Sequence, residues 1–351
     1  MARDFFRQSA GGASPRGSLI SQIQTALDAV PNGPQIRVDG AFGSNTATAV
    51  SAFQASNHLQ PTGAVTDQVW QMLTNSGAPS MFERCLQVTA SYEGTGYTHV
   101  VGNFDGAGIT WGIIGFTLLA GGELGVVIKK INTDFPALVA QAFGANAAEL
   151  LRICDPATSA ADKTAFANSV TRNGGGVIEP WNTSFQTLGG FPQVQALQTQ
   201  RARDIYWAIA VGDARALSME EELDLTLMFD VAVQNGGLQG NHLLQPIKDA
   251  FATEMPATEQ ARRLIVTRFV TDASNPASAD DVNSRKSCIS TGSGTVHRSP
   301  YLLSGWALLD GVIPPPEILS TEPVDPDILR FRDLRLAAAR AKTMRSNGAE
   351  R

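Results

Sequence analysis

Ala90-Ser-Tyr-Glu93-Gly-Thr-Gly-Tyr-Thr-His-Val-Val-Gly-Asn-Phe-Asp105-Gly-Ala-Gly-Ile-Thr110-Trp-Gly-Ile-Ile-Gly-Phe116 sets two carboxylates and a dense run of glycines between apolar segments. Just upstream, Met81, Phe82, Cys85, Leu86, Val88 and Thr89 recur at helical spacing, which predicts a helix ending at or just before Glu93 and broken by Gly94 and Gly96. Asp105-Gly-Ala-Gly is a turn signal, and the β-favouring run Ile109 to Phe116 follows it, so Asp105 is expected where a turn enters a strand. Cleavage of a glycosidic bond needs one carboxylic acid held protonated and one ionised carboxylate, in unlike environments. Glu93 against an apolar helix face would be desolvated, whereas Asp105 among backbone N–H groups would stay ionised. Asp-Gly is also an ordinary turn, and a Glu before Gly often only solvates a helix end. The residues alone leave both readings open.

The string Asp105-Gly-Ala-Gly-Ile-Thr110-Trp-Gly-Ile-Ile-Gly-Phe116 resembles the Asp-Gly-x-Gly-x-Thr-x-Gly-Ile-x-Gly-Phe signature of the family 46 chitosanases, members of the lysozyme-like superfamily. The resemblance implies Asp105 as general base, Thr110 as a holder of the attacking water and Glu93 as general acid. The interval from Glu93 to Asp105 is shorter than in the chitosanases and closer to that of small phage-type lysozymes. Glu123 falls one position from where that family keeps an acidic residue for glucosamine recognition; it is equally a charge near a helix N-terminus.

Upstream, Leu19, Ile23, Ala26 and Leu27 form a helical face. Then Val38-Asp39-Gly40-Ala-Phe42-Gly43 leads into Thr46, Ala49, Val50, Phe53 and Gln54, followed by Gly63-Ala-Val65 and Trp70. This stretch resembles the three-helix peptidoglycan-binding module, and Asp39, Asn45 and Gln54 are its polar candidates for wall contact. The expected organisation is a wall-binding domain over 18–76, a lysozyme-like glycoside hydrolase domain over 80–320 and a basic tail over 321–351. The corresponding fold class is α+β, mainly α: a small three-helix domain joined to a catalytic domain with a small β-sheet. A length of 351 residues and 43% apolar content suit two such domains, and Asn75-Ser-Gly-Ala-Pro79 reads as the linker.

Further candidates are weaker. Leu223 to Gly237 reads as a buried helix stopped by glycine, with Gln234 and Asn235 either binding sugar amides or making a cap and buried hydrogen bonds. Ser284-Arg285-Lys286 and Gly292-Ser-Gly-Thr-Val-His297 form a polar, Gly-rich patch, which makes Arg285 and His297 substrate-binding candidates. Trp181, in a segment that reads as a loop after Glu179-Pro180, and Trp111, within the motif, are the aromatic candidates for sugar contact, whereas Trp207 reads as helix core.

Rival chemistries find less support. His58, His99, His242 and His297 show no short zinc-ligand spacing, so no metal or other cofactor is expected. Cys85, Cys154 and Cys288 are odd in number and widely spaced, which reads as buried free thiols in a reducing compartment. Met1 to Arg7 lacks the apolar core of a signal peptide, and Trp111 to Ile128 reads as strand and helix, not as a membrane span. A formal charge of -6 argues against nucleic acid as partner. The basic stretch Arg330 to Arg345 is either a solvated terminal helix or a contact to anionic outer-membrane lipid.

The sequence reading is therefore a monomeric muramidase of endolysin type. It would be made in the cytoplasm and act on periplasmic peptidoglycan after release or injection. A chitosanase, a secreted antibacterial effector and a non-catalytic wall-binding protein are the alternatives.

Overall fold

The computed structural model describes residues 4–9, 12–31, 33–93, 96–119 and 122–315. The basic stretch at 330–345 and Gly94 lie outside them. The chain is mainly helical with small antiparallel sheets and divides into two compact units. One runs up to Tyr92 and resumes at Ile209; the other is Glu93–Ala208. The N-terminal module lies in the first unit together with the later helices.

That module has three helices, α1 (Ser18–Asp28), α2 (Ser44–Ser56) and α3 (Asp67–Thr74), and a short strand pair, β1 (Asp4–Phe6) with β2 (Val65–Thr66). Ile20, Ile23 and Leu27 of α1 and Ala49, Val50, Val65 and Val69 are buried in its core. β1 precedes the stretch that carries the sequence pattern; it inserts Phe6 beside Trp70, ring centroids 6.0 Å apart. Two buried glutamines tie the loops down. Gln24 donates from Nε2 to Asp39, to the Ala41 carbonyl and to Thr46, and its Oε1 accepts the N–H groups of Asp39 and Gly40. Gln54 does the same for Thr62, Gly63 and Ala64.

The linker expected at 75–79 is fastened at both ends. Trp70 Nε1 donates to Ser76, and Arg84 Nη1 donates to the Pro79 carbonyl. Helix α4 (Met81–Tyr92) follows and is buried along nearly its whole length. It meets the module directly, the Gln87 side chain accepting the Ser18 N–H at 2.8 Å.

The second unit opens with a three-stranded sheet in the order β3 (Val100–Val101), β4 (Thr110–Trp111), β5 (Phe116–Thr117). The run Ile109 to Phe116, expected as one strand, is a tight hairpin. Gly112 and Gly115 take φ of +92° and +68°, and a Cβ at Gly112 would stand 2.4 Å from Gln198 Oε1. The helices α5 (Glu123–Asp134), α6 (Pro136–Phe143), α7 (Ala147–Cys154), α8 (Ala160–Val170), α9 (Trp181–Gly190) and α10 (Pro192–Ala202) pack behind this sheet, and a π-helical turn spans Arg203–Trp207. Their core is aromatic: Phe143, Phe166 and Phe185 surround Trp181 and Trp111.

The chain returns to the first unit along α11 (Ala208–Ala216), then α12 (Glu222–Asn235), α13 (Leu244–Glu254), α14 (Glu259–Asp272), α15 (Ala279–Thr291) and the hairpin β6 (Ser293–Val296) to β7 (Ser299–Leu302). The buried helix expected over Leu223 to Gly237 is α12, closed by Gly236 at φ +82°. No described helix is long and apolar enough to cross a membrane, and Trp111 to Ile128 supplies β4, β5 and the start of α5.

Candidate active site

Helix α4 ends at Tyr92, and Glu93 follows in a turn with its side chain exposed. The helix stops because its apolar face runs out at Tyr92 and glycine follows. Desolvation of Glu93 by an apolar helix face, expected from the sequence, is not what the structure shows, since the carboxylate lies one residue beyond that face.

Asp105 sits in the loop joining β3 to β4, and its Oδ1 accepts the Ala107 N–H at 3.0 Å, an Asx turn. Gly106 and Gly108 carry φ of +84° and +80°, conformations that a side chain would strain. Asn103 pins the loop from three sides. Its N–H donates to Thr171 Oγ1 at 2.8 Å, its Nδ2 donates to Asn168 at 2.7 Å, and its Oδ1 accepts the Gly108 N–H at 2.9 Å. A fourth bond runs from the Gly102 N–H to the Gly175 carbonyl, and the Leu119 N–H donates to the Ala107 carbonyl. Asp105 is thus carried on a short, heavily tied loop. Thr110, half-buried, leads β4 directly after it, opposite Val101 and Thr117. Glu93, Asp105 and Thr110 belong to the same unit.

The other candidates from this unit have structural positions. Glu123 is the first residue of α5, 5% exposed, and Arg201 donates to its Oε2 from Nε at 2.9 Å, with Nη2 forming an ion pair to the same oxygen at 2.9 Å. Its carboxylate is engaged by a guanidinium, where recognition of a glucosamine amine would need it open. Trp111 is wholly buried and donates from Nε1 to the Phe185 carbonyl, so it fills the core and walls no cleft. Trp181 is not in a loop: it opens α9 after Pro180 and packs edge-on against Phe166 at 4.9 Å. Phe143 on α6, Phe166 on α8 and Phe185 on α9 pack against the two rings.

The remaining candidates lie in the first unit, around a buried ion cluster that the sequence reading does not foresee. Asp230 on α12 accepts from Arg285 Nη2 at 2.6 Å, from Lys286 Nζ at 2.7 Å and from Thr89 Oγ1 at 3.1 Å. Burial disfavours its charge, but the two adjacent cations overcome this and hold the carboxyl well below the usual carboxylate range. Gln234 donates to Asp281 at 2.7 Å and accepts from Lys286. Asp281 also meets His297 Nε2 at 2.6 Å. Arg285 and Gln234 are therefore occupied by the protein itself. The Gly-rich patch is the β6–β7 hairpin, with His297 and Arg298 both at positive φ in its turn. Asn235 ends α12, its carbonyl accepting from Asn241. The one sequence signal for this cluster was a charged residue within an apolar stretch of helix, Asp230 in Leu227 to Val233.

In the N-terminal module, Asp39 accepts the Ala41 N–H and a Gln24 N–H, which together lower its pKa, and Gln54 is buried. Both stabilise turns; Asn45 is exposed on the first turn of α2. The three cysteines are buried free thiols, and burial pushes Cys85 and Cys154 up to about 12 and Cys288 to about 11.

A residue that the sequence reading passes over is Phe104, next to Asp105 and 68% exposed. A cavity of about 480 Å³ lies along α5, lined among others by Lys129, Lys130 and Lys163; none of the expected site residues lines it.

Residues 16–73 match the family described as "Putative peptidoglycan binding domain". No curated protein matches the chain. Among solved structures, it is similar to a family GH46 chitosanase of Gynuella sunshinyii in complex with chitotetraose, at 16% identity and a TM-score of 0.45, covering 64% of this chain and 98% of that one. A mutant chitosanase from Bacillus subtilis MY002 complexed with 6 GlcN gives 16% identity and a TM-score of 0.45, over 61% and 89% of the two chains.

Proposed function

We propose that this protein is a peptidoglycan hydrolase, a glycosidase that cleaves the β-1,4 bond between N-acetylmuramic acid and N-acetylglucosamine. The observation that carries the reading is the union, in one chain, of a matched peptidoglycan-binding segment with two exposed carboxylates, Glu93 and Asp105, in one compact unit. Glu93 follows a buried helix, and Asp105 is held in a hydrogen-bonded glycine loop beside Thr110.

In this reading Glu93 delivers its proton to the glycosidic oxygen as the bond to the anomeric carbon breaks. Asp105 takes a proton from water, whose oxygen forms the new bond on the opposite face, with Thr110 orienting that water. The anomeric centre inverts, which requires the carboxyl groups to stand roughly 6.5–9.5 Å apart. The chitosanase alternative is less favoured, because Glu123, its candidate for amine recognition, is buried and engaged by Arg201. An endolysin released to the periplasm, or an injected effector, fits this activity, and the basic tail is the segment that would meet anionic lipid.

Mass spectrometry of fragments released from purified peptidoglycan tests the proposal, with chitosan digested in parallel. Reducing-end muramic acid is the expected product, and Glu93→Gln or Asp105→Asn should lower its release by about 10²-fold or more. Free stem peptides, or unchanged release by both variants, would overturn it.

A further inference from the structure

We infer that Phe104 is a stacking platform for one pyranose ring of the glycan, set beside Asp105; the inference deepens the glycosidase reading and rests on it. A phenylalanine 68% exposed leaves much apolar surface in water, a loss that a sugar's apolar ring face can recover by covering it. By contrast, Trp70, Trp111, Trp181, Trp207 and Trp306 are all buried, so the chain's indoles offer no platform.

The ring is displayed from a rigid base. On one side Asn103 makes its bonds to Thr171, Asn168 and Gly108, and on the other Asp105 closes its turn onto Ala107. Beneath the side chain runs the Gly174-Gly175-Gly176 turn. A Cβ at Gly175 would come within 3.3 Å of Phe104 Cβ, so glycine there lets the backbone support the phenyl group from below. Gly102 is similarly required, because a Cβ would stand 2.3 Å from Thr171 Oγ1. The glycines at 102 and 175 thus bring two loops together, and their backbones are joined by the 2.7 Å bond from Gly102 to Gly175. An aromatic face one residue from Asp105, on a loop already ordered in folding, takes up a sugar ring with little further loss of backbone entropy.

Two measurements test this. In Phe104→Trp the new indole is exposed while the native five are buried, so red-edge emission reports on position 104. Adding the β-1,4-linked hexasaccharide of N-acetylglucosamine should shift that emission to the blue, and an α-linked glucan hexasaccharide should not. No shift at saturating sugar, or the same shift with the α-linked control, overturns the proposal. On peptidoglycan, Phe104→Ala should raise KM roughly tenfold, with kcat changed less than about threefold, and Phe104→Trp should restore KM; a tenfold change corresponds to about 1.4 kcal/mol. An unchanged KM in Phe104→Ala, or a loss of folding stability without a change in KM, overturns it. A sugar-dependent emission shift in a chain that cuts no glycan would support the platform and sink the hydrolase reading; normal cleavage with unaltered KM in Phe104→Ala would do the reverse.

Discussion

Asp230→Asn is the most exacting perturbation of the buried ion cluster, because it keeps the side chain's shape and removes only its charge. Asp230 and Lys286 are 0% exposed and Arg285 is 1% exposed, so the variant leaves two cations in the interior around a neutral amide. Breaking a buried pair of this kind costs about 3–5 kcal/mol. The lower end is expected here, since Gln234 still accepts from Lys286 and Asp281 stands 3.9 Å from Arg285. Urea unfolding at pH 7, followed by far-UV circular dichroism, measures the difference. The pH dependence has a definite sign. Asp230 is held below its ordinary pKa in the folded chain, so its stabilisation is complete above the unfolded value of about 3.9 and is lost as pH falls through the folded one. The gap between wild type and variant should therefore be equal at pH 7 and pH 5 and narrow only in stronger acid. Replacing the whole cluster, with Asp230→Leu, Arg285→Met and Lys286→Met together, should recover much of the loss, because no unpaired charge is left inside. A gap below about 1 kcal/mol at pH 7, the size of an exposed pair, would refute the reasoning. So would a gap that widens on acidification.

Glu123→Ala should lower the unfolding free energy by about 2–3 kcal/mol in the same urea assay, because it strips Arg201 of a charged acceptor; raised KM at unchanged stability would instead mean that Glu123 serves the substrate. Gln24→Ala removes five hydrogen bonds around the Asp39 turn and should cost about 2–4 kcal/mol by thermal unfolding, against at most about 0.5 kcal/mol for the exposed Lys130→Ala. The cysteines should be inert to a disulfide-exchange reagent at pH 8 in the native protein and react fully in guanidinium chloride, since burial holds all three thiols protonated; rapid native reaction at any of them would contradict their burial.

Periodicity and turn chemistry act locally, and what depends on them was legible in the chain. The helical spacing of Met81 to Thr89 gave α4, Asp105-Gly-Ala-Gly gave the Asx turn, and the apolar run ended by Gly236 gave α12. The peptidoglycan-binding segment was readable for the same reason, its turns being fixed by Asp39-Gly40 and Gly63. Hairpin and strand were harder to separate in Ile109 to Phe116, because only the approach of Gln198 to Gly112 shows why the run must fold back.

What a polar side chain does with its charge or hydrogen bonds was decided by the tertiary structure. Glu123 and Arg201 are 78 positions apart, and Asp230 and Arg285 are 55 apart. No local pattern announces such partners, so residues that read as substrate ligands proved to be satisfied by the protein. Exposure follows the same rule. Trp111 and Trp181 looked like sugar platforms until Phe143, Phe166 and Phe185 closed around them, whereas Phe104 is left in water because the loop that carries it is held by its backbone and by Asn103. The sequence by itself determined the local turns and helices around Glu93 and Asp105. Only the three-dimensional packing decided which side chains were engaged by the protein itself and which were left in water.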